Sequence, residues 1–299
     1  MLVTGAHGFV GGWLLEHLRD MGDEVVAPKV DVTDFDAMAI AMREARPGAV
    51  YHLAALTHVG ESWMAPAETF RVNAMGTLSV LEAARALDRS PRVLIVGSAE
   101  MYGGVRADEL PLTETSPLRP ATPYAVSKVA AEYLGVQAWL GYGIPVLRVR
   151  PFNHVGPGQS ERFVVSSVAR QIVAAERAGE TVLRVGNLSA RRDYTDVRDV
   201  VRAYRLLVER ATPGEVYQVC SGVDLGVRDI AERMLTLTKR RMELQVDPKL
   251  VRPVDVPVLR GDPSKLESVT GWHPTIDLEA TLADTLDWWR ANIDTVAPS

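Results

Sequence analysis

Apolar and polar positions alternate along the first half of the chain in the pattern of strands joined by helices. Short apolar runs, which predict buried strands, occur at "MLV", "DEVVA", "AVYHLAA", "RVLIVGS" and "PVLRVRPF". Between them, apolar residues recur at helical spacing over about 13–21, 34–45, 66–87 and from 123 onward. Strands that alternate with helices are typical of a parallel sheet covered on both faces. The pattern therefore predicts an α/β protein with a doubly wound parallel sheet.

The connection after "DEVVA" is too short for a complete crossover. Only Pro28 and Lys29 separate "EVVA" from "VDVTD", whereas a parallel crossover needs about a dozen residues. "VDV" therefore cannot be a parallel strand beside "EVVA", and we expect the sheet to lack one strand and one helix here. The strand at Met1 is short, and the sequence leaves open whether further residues precede it.

The pattern changes after Phe152. "NHVGPGQSERFVVSS" predicts a Gly/Pro loop that runs into a helix, and "RDYTDVRDVVRAYRLLVER" predicts a helix with a polar start. "EVYQVCSG" predicts a strand that returns to the sheet, and a last helix is expected near 278–292. We therefore expect a sheet domain of residues 1–153 plus about 191–222. A smaller lobe of about 154–190 plus 223–299 is interleaved with it.

Composition and charge narrow the class of protein. Of the 299 residues, 47% are apolar and 24% are charged, which is ordinary for a soluble globular protein. The net charge of −5 argues against general nucleic-acid binding. No run of 18 apolar residues exists, so no membrane span is expected. The first residues lack the basic segment of a signal peptide, so we expect a cytoplasmic protein.

Cysteine and histidine offer little chemistry. Cys220 is the one cysteine, which excludes an intrachain disulfide, and its apolar surroundings indicate a buried structural thiol rather than a nucleophile. His and Cys show no metal-ligand spacing, so we expect no metal site.

A glycine-rich loop follows the first predicted strand. "TGAHGFVGG" places Gly5, Gly8 and Gly11 between a strand and a helix, which is the context of a Rossmann dinucleotide fingerprint. Such glycines permit a tight turn and close approach to a pyrophosphate, which the helix N-terminus then faces. Asp31 has the spacing of the acidic residue that binds the adenosine ribose, with the adenine edge as an alternative. Lys29 is either a ligand for a 2′-phosphate or a solvated side chain.

A tyrosine and a lysine share one face of the helix that begins near Pro123. Tyr124 and Lys128 are four residues apart, which stacks the phenol and the ammonium. Alone, this short motif is more often a chance pair on a solvated face. A nearby ammonium favours the phenolate and would lower the pKa of the tyrosine, so that it exchanges protons more easily near neutral pH.

Four motifs together resemble the extended short-chain dehydrogenases/reductases. They are the glycine loop, "HLAA" at 52–55, "GSAEMYG" at 97–103 and Tyr124-x-x-x-Lys128. In the second half, "RPFNHVGPGQSERFVV", "RRDYTDVRDV" and "RPVDVPVLRGDPSKL" look like enzymes that act on GDP-6-deoxyhexoses. Over essentially the whole chain the likeness is to GDP-4-keto-6-deoxy-D-mannose reductases. The chain resembles GDP-mannose 4,6-dehydratases almost as closely.

This resemblance implies an NAD(P)H-dependent oxidoreductase that reduces the 4-keto group of a GDP-4-keto-6-deoxyhexose. The product would be a GDP-6-deoxyhexose of the rhamnose or 6-deoxytalose type. NADP and NAD both stay open as the cofactor, and a homodimer formed through the helices near 66–87 and 124–140 is expected. The alternatives are a GDP-mannose 4,6-dehydratase, then a nucleotide-sugar 4-epimerase. A non-catalytic NAD(P)-binding regulator would be expected to have lost Ser98, Tyr124 or Lys128, and all three are present.

The resemblance also assigns roles to individual positions. Ser98 matches the residue that hydrogen-bonds the reacting oxygen, Tyr124 and Lys128 match the catalytic pair, and Glu100 occupies the place of the base in dehydratases. The positions that match cofactor contacts are Gly5, Gly8, Phe9, Val10, Gly11, Asp31, Val32, Leu53, Ala54, Ala55, Tyr124 and Lys128. Those that match substrate contacts are Asn153, Val164, Arg192 and Arg252.

Some of these positions have alternatives, and the chain departs from the family pattern in two places. Instead of binding the diphosphate, Arg192 could form an ion pair with Asp193 or Asp196. Arg252 could be an ordinary surface arginine. The incomplete crossover removes a region that in dehydratases helps to hold the 2′-phosphate. Ala99 stands where dTDP-glucose dehydratases place an acidic residue, which weakens that interpretation. Asn73 matches a position that supports the active site structurally.

Overall fold

The computed structural model describes residues 1–250 and 256–296. The strands are, in chain order, β1 (Leu2–Thr4), β2 (Ala49–His52), β3 (Arg92–Val96), β4 (Val146–Pro151), β5 (Asn153–Val155), β6 (Val182–Val185), β7 (Arg191–Asp196), β8 (Val216–Val219), β9 (Asp224–Gly226), β10 (Glu243–Val246) and β11 (Val258–Leu259). The α-helices are α1 (Phe9–Asp20), α2 (Phe35–Ala45), α3 (Val59–Ser62), α4 (Pro66–Phe70), α5 (Gly76–Arg85), α6 (Pro123–Tyr142), α7 (Val164–Ala178), α8 (Val197–Arg210), α9 (Val227–Thr236), α10 (Ser264–Thr270) and α11 (Leu278–Asn292).

A parallel five-stranded sheet with helices on both faces confirms the predicted α/β class. Its strand order is β1, β2, β3, β4, β8, so the strand predicted at "EVYQVCSG" does return to the sheet. On one face α1 and α8 bury apolar residues such as Leu14, Leu18 and Leu207. On the other face α2, α5 and α6 contribute a second cluster that includes Met38 and Met42. The strands are buried almost throughout, as expected for a sheet covered on both faces.

The outer side of β1 is the place where the sheet is incomplete. The predicted strand "DEVVA" is reduced to a single parallel bridge between Leu2 and Val26. From there the chain passes through α2 directly to β2, which confirms that one strand and one helix are lacking. Because Val26 lies on one side of β1 and β2 on the other, the connections reverse direction at β1. In open α/β sheets such a point forms a ligand-binding crevice.

The second lobe is built from small sheets and packed helices, and β7, from the segment 191–222 that the sequence assigned to the sheet domain, pairs with its strands. The strands β11, β7 and β5 form one parallel path, β9 pairs antiparallel with β7, and β6 pairs with β10. The helices α7, α9 and α11 pack together over this lobe. The last helix has the predicted bounds, Leu278–Asn292. The strands β6 and β10 had not been expected from the sequence.

One predicted helix begins later than expected. The stretch "RDYTD" forms the buried strand β7, so the prediction of helix from this point was wrong. Asp196 ends the strand and caps α8, because its side chain accepts a hydrogen bond from the amide of Arg198. Tyr and Thr favour strands, and the pairing of β7 with β5, β9 and β11 outweighed the helical pattern that follows.

The predicted helix at 66–87 is interrupted. Between α4 and α5 the residues Arg71–Met75 form a π turn, in which the amide of Gly76 donates to the carbonyl of Arg71. Helix α1 also differs from the prediction, because it begins at Phe9, directly after the glycine loop, rather than near Trp13. Among the described residues, no helix combines the length and the apolar character needed to cross a bilayer.

Candidate active site

The glycine loop is as tight as the dinucleotide fingerprint requires. Gly5 has φ +68°, and a Cβ there would lie 2.6 Å from the amide nitrogen of Ala54. A Cβ on Gly11 would lie 2.2 Å from the carbonyl oxygen of Gly5. Helix α1 starts at once after Gly8, so its unpaired N–H groups face the crevice. This arrangement fits the pyrophosphate of a dinucleotide cofactor.

A cavity of about 350 Å³ begins at this loop. Most of the positions that the sequence assigned to the cofactor line it, namely Gly5, Gly8, Phe9, Val10, Gly11, Leu53, Ala54, Ala55, Tyr124 and Lys128. The carboxyl ends of β1, β2 and β3 therefore open into one space, as they do in dinucleotide-binding sheets.

Asp31 and Val32 do not line this cavity. The carboxylate of Asp31 accepts hydrogen bonds from the backbone and the hydroxyl of Thr33 at 2.9 and 2.8 Å, which lower its pKa. Val32 is buried against Gly76, where an added Cβ would lie 2.7 Å from Val32 Cγ2. Contact between these two residues and the adenosine end of a cofactor stays a prediction.

The predicted catalytic pair, Tyr124 and Lys128, lies on the first turns of α6. Thr122 caps the helix by accepting from the amide of Ala125 at 3.1 Å, and Pro123 occupies the first turn. Tyr124 lies beside Ser98, which lines the same cavity and lowers the pKa of the tyrosine, and Lys128 Nζ donates to the carbonyl of Val96 at 2.9 Å. Helix α6 thus brings Tyr124 and Lys128 to the end of β3, where Ser98 follows the strand.

Burial controls the protonation of this pair. It raises the pKa of Tyr124 to about 12, with a smaller lowering by the Ser98 hydrogen bond and a smaller rise from the charge of Glu100. Burial also lowers the pKa of Lys128 to about 8. The expected lowering of the tyrosine pKa by Lys128 is therefore not found in this structure, because desolvation disfavours the phenolate more strongly. The phenol therefore carries its proton at neutral pH and is a weaker acid than a tyrosine in water.

A second cavity of about 500 Å³ adjoins the first. Both cavities are lined by Glu100, Asn153, Val164 and Tyr194, which therefore mark their junction. Ser98 and Tyr124 line the first cavity beside Glu100. The structure thus brings the predicted catalytic residues together with two of the predicted substrate residues.

Arg192 also lines the second cavity, although it does not project freely into it. The side chain is buried, and its Nη1 donates to the carbonyls of Arg191 and Val256 at 2.9 and 2.6 Å. Of the two carboxylates that were alternatives, Asp193 accepts from Ser221, and Asp196 pairs with Arg198. Arg252, the other predicted diphosphate ligand, lies outside the described residues.

Several residues that line the cavities were not found from the sequence. The first cavity includes His154, whose ring stacks on Phe9, and the second includes Arg184, Asn187 and Lys249. Alternation in "TVLRVGN" was the signal that would have predicted β6 and the turn that carries Asn187. Among the described residues, no cluster of His, Cys, Asp and Glu could hold a metal ion.

Comparison with known proteins gives relatives over nearly the full chain. The profile of the GDP-mannose 4,6 dehydratase family matches residues 25–285. The GDP-6-deoxy-D-mannose reductase of Pseudomonas aeruginosa is 36% identical over 298 residues, which cover 98% of both chains. A GDP-mannose 4,6-dehydratase of Vibrio cholerae is 31% identical, with 95% of this chain and 91% of the relative covered.

Solved structures agree with these relatives. The structure of RMD from Pseudomonas aeruginosa complexed with NADPH superposes with a TM-score of 0.91 at 35% identity, covering 97% of this chain and 99% of that one. The UDP-glucose 4-epimerase of Thermus thermophilus in complex with NAD gives 0.86 at 31% identity, covering 97% and 98%. With the glycine loop, Ser98, Tyr124 and Lys128 in place, the chain belongs to the GDP-mannose 4,6-dehydratase family of extended short-chain dehydrogenases/reductases.

Proposed function

We propose that this chain reduces the 4-keto group of a GDP-4-keto-6-deoxyhexose, with NADPH or NADH as the reductant. The carrying observation is that Ser98, Tyr124 and Lys128 line one cavity together with the glycine loop, beside its junction with the second cavity. The reductase and the dehydratases among its relatives act on GDP-linked sugars, which supports the same substrate class.

Different groups supply the hydride and the proton that the reduction needs. When bound, the reduced nicotinamide supplies the hydride for carbon 4 of the sugar. Tyr124 donates its proton to the carbonyl oxygen as negative charge develops there, and Ser98 holds that oxygen through a hydrogen bond. With a pKa of about 12, Tyr124 holds its proton at neutral pH, so the proton is present when the substrate binds. The ammonium of Lys128 donates a hydrogen bond to the carbonyl of Val96. By family resemblance Lys128 also holds the nicotinamide ribose.

The second cavity is the proposed site of the nucleotide part of the substrate. Asn153, Val164 and Arg192 line it as the resemblance implies, and Arg184 and Lys249 add positive charge that favours a diphosphate. Residues 1–153 plus about 191–222 would then bind the dinucleotide. Residues 154–190 plus 223–299 would bind the sugar nucleotide.

Glu100 carries the second candidate function, a GDP-mannose 4,6-dehydratase. A carboxylate at the junction of the cavities could remove the proton at carbon 5 that such a reaction requires. Ketone reduction needs no such base. The incomplete crossover beside β1 and the full-length match to a reductase favour the reductase.

The deciding experiment compares two substrates under otherwise identical conditions. Purified protein is incubated with GDP-mannose and, separately, with its 4-keto-6-deoxy derivative, each with NADPH or NADH, and the products are identified by NMR. We expect one reduced nicotinamide to be oxidised for each ketone reduced, and no conversion of GDP-mannose. Formation of the 4-keto sugar from GDP-mannose without net cofactor change would establish the dehydratase instead. Inversion at carbon 4 without net oxidation would establish an epimerase.

We also propose that the protein is a cytoplasmic homodimer. Helix α6 carries Val126, Tyr133 and Leu140 at intervals of seven residues, and all three are exposed. Side chains at that spacing lie on one face of a helix. A second copy of the same helix face would cover this apolar stripe. The cytoplasmic location rests on the nucleotide-sugar substrate and the single buried cysteine.

A further inference from the structure

A buried chain of hydrogen bonds runs from the wall of the cofactor cavity to the π turn. The amide of Ala54 donates to Thr4 Oγ1 at 3.3 Å, and Thr4 Oγ1 is 2.8 Å from His52 Nδ1. On the other side of the ring, His52 Nε2 is 3.0 Å from Thr77 Oγ1, which donates to the carbonyl of Asn73 at 2.7 Å. The chain therefore joins the ends of β1 and β2 to helix α5.

Only one protonation state of His52 fits this chain of hydrogen bonds, the neutral imidazole with its proton on Nε2. The carbonyl of Asn73 can only accept, so the single proton of the Thr77 hydroxyl points to it, and Thr77 must accept from His52 Nε2–H. His52 Nδ1 then accepts from the Thr4 hydroxyl. Burial, assisted by the charge of Lys128, lowers the pKa of His52 to about 3 and keeps the imidazole neutral. An imidazolium would present a second donor to Thr4, which would have to reverse its hydroxyl.

Asn73 connects this chain to the catalytic helix. Its side-chain oxygen accepts from the amide of Leu56 at 2.8 Å, and its Nδ2 donates to the carbonyl of Leu56 at 3.0 Å. The same Nδ2 donates to Ser127 Oγ at 2.9 Å, and Ser127 Oγ donates to the carbonyl of Tyr124 at 2.7 Å. The loop that carries Leu53–Ala55 is thus held at Ala54 through Thr4 and at Leu56 through Asn73.

We propose that His52 and Thr77 are positioning residues, which hold the π turn in the register that lets Asn73 clamp both Leu56 and the Tyr124 helix. A π turn contains one residue more than a regular helical turn, and such turns are frequent at functional sites. The bond from Thr77 to the carbonyl of Asn73 secures this turn, and His52 fixes the direction of the Thr77 hydroxyl. Neither residue lines either cavity, so both act through Asn73 and Leu56.

The test compares hydroxyl removal at two neighbouring positions of α5. Thr77→Val removes the bridging hydroxyl and keeps the shape of the side chain, whereas Thr77→Ser retains the hydroxyl. Ser79→Ala is the matched control, because Ser79 Oγ is buried without a hydrogen-bond partner among the described residues. His52→Leu breaks the same bridge from the other end, so the test does not depend on one variant folding well.

Amide hydrogen exchange of the free protein is measured first, since it requires neither substrate nor the proposed function. We expect the Leu56 amide to exchange about tenfold faster in Thr77→Val and His52→Leu. Each variant leaves a buried polar group of the Thr77 bridge without its partner, so that Asn73 holds Leu56 less firmly. Exchange should be unchanged in Thr77→Ser and Ser79→Ala. In the double variant Thr77→Val/His52→Leu, the Leu56 amide should exchange no faster than in the quicker single variant, because both substitutions break the same chain of hydrogen bonds. Unchanged exchange in Thr77→Val and His52→Leu, or equal acceleration in Ser79→Ala, would overturn the proposal.

Turnover is measured second and rests on the proposed function. The two disruptive variants should lose kcat by about tenfold while the dissociation constant of NADPH changes little, and Thr77→Ser should restore kcat. Faster exchange of the Leu56 amide with kcat unchanged would show that the clamp does not position the catalytic helix. If the wild type itself reduces no ketone, the proposed function fails, and the exchange result still decides the clamp.

Discussion

At the scale of single residues, protonation at the site follows from burial more than from charge. The phenol of Tyr124 and the ammonium of Lys128 are both removed from water, which raises one pKa and lowers the other. The sequence showed which residues meet, because their spacing on one helix is local information. It could not show how deeply they are buried, since that depends on β3, α8 and the second lobe.

Replacing Tyr124 tests the proton donor. Tyr124→Phe should keep cofactor affinity and lose about 10²–10⁴-fold in kcat, the usual contribution of a positioned proton donor. Tyr133→Phe is the control, because Tyr133 lies on the same helix and is exposed. The measurements are kcat for ketone reduction and the cofactor dissociation constant. A Tyr124→Phe enzyme within tenfold of wild type would remove Tyr124 from the proton-transfer step.

The pH dependence of reduction should report Lys128. Tyr124, with a pKa of about 12, stays protonated through the working range, whereas Lys128 loses its charge as pH rises through about 8. We expect kcat/KM, which reflects the free enzyme, to fall above about pH 8. In Lys128→Arg the fall should move to higher pH, because the guanidinium stays charged. If kcat/KM of Lys128→Arg falls at the same pH as in the wild type, the fall does not report the charge of Lys128.

Deprotonation of Lys128 does not itself destabilise the fold. The pKa of Lys128 is lowered from 10.5 in the unfolded chain to about 8 in the folded protein. Between these values the unfolded chain binds more protons, so the contribution of Lys128 to stability increases as pH rises. A thermal unfolding curve recorded at each pH separates the two effects.

At the scale of elements, local patterns predicted the glycine loop, the Tyr124 helix and the bounds of α11. Two of the elements that these patterns missed show the physical reasons. The strand β7 was taken for helix because its partners β5, β9 and β11 are distant in the chain, and pairing overrides a local pattern. The π turn at Arg71–Met75 inserts one residue into a helix whose apolar pattern is otherwise regular, so only the backbone bond from Gly76 to Arg71 reveals it.

A buried ion pair fixes α6 to the sheet. Glu132, two turns after Tyr124, accepts from Arg150 of β4 at 2.6 and 2.9 Å, and both side chains are buried. Arg150 Nη1 also donates to the hydroxyl of Tyr102 at 3.0 Å, which ties the turn after Ser98 to the same pair. Helix α6 and the turn after Ser98 are therefore held by the same ion pair.

Glu132→Gln should lower the free energy of unfolding by about 3–5 kcal/mol, because it leaves the Arg150 charge buried without its partner. Glu82→Gln is the control, since Glu82 pairs with Arg85 at the surface, and that pair should be worth about 1 kcal/mol or less. Urea denaturation at neutral pH measures both variants. Equal losses for the two variants would mean that burial does not distinguish the pairs.

At the scale of the whole molecule, the sequence located the first cavity, proposed for the cofactor, better than the second, proposed for the substrate. The cofactor cavity is built at the carboxyl ends of successive parallel strands, so chain order predicts its lining. The second cavity is lined from α7, β6, β7 and residues near Lys249. The strand pair β6 and β10 that supports it joins distant segments, and no local pattern specifies such a pairing.

The apolar stripe on α6 makes a prediction about assembly. Tyr133 and Leu140 are 59% and 76% exposed, on the outer side of the helix that carries Tyr124. Large apolar side chains aligned on one face mark an interaction surface, and a second copy of α6 offers a matching stripe. The wild type should therefore sediment as a dimer in analytical ultracentrifugation. The double variant Tyr133→Glu/Leu140→Glu should sediment as a monomer, because it would bury unpaired carboxylates in the interface.

The control for this experiment is Val223→Glu, which places the same charge on an exposed apolar residue of the second lobe. That variant should remain a dimer. Because the stripe faces away from Ser98 and Lys128, a monomeric double variant that stays folded should still bind NADPH, which a fluorescence titration can verify. A wild type that sediments as a monomer, or a double variant that remains a dimer, would place the interface elsewhere and leave the stripe of α6 exposed in solution.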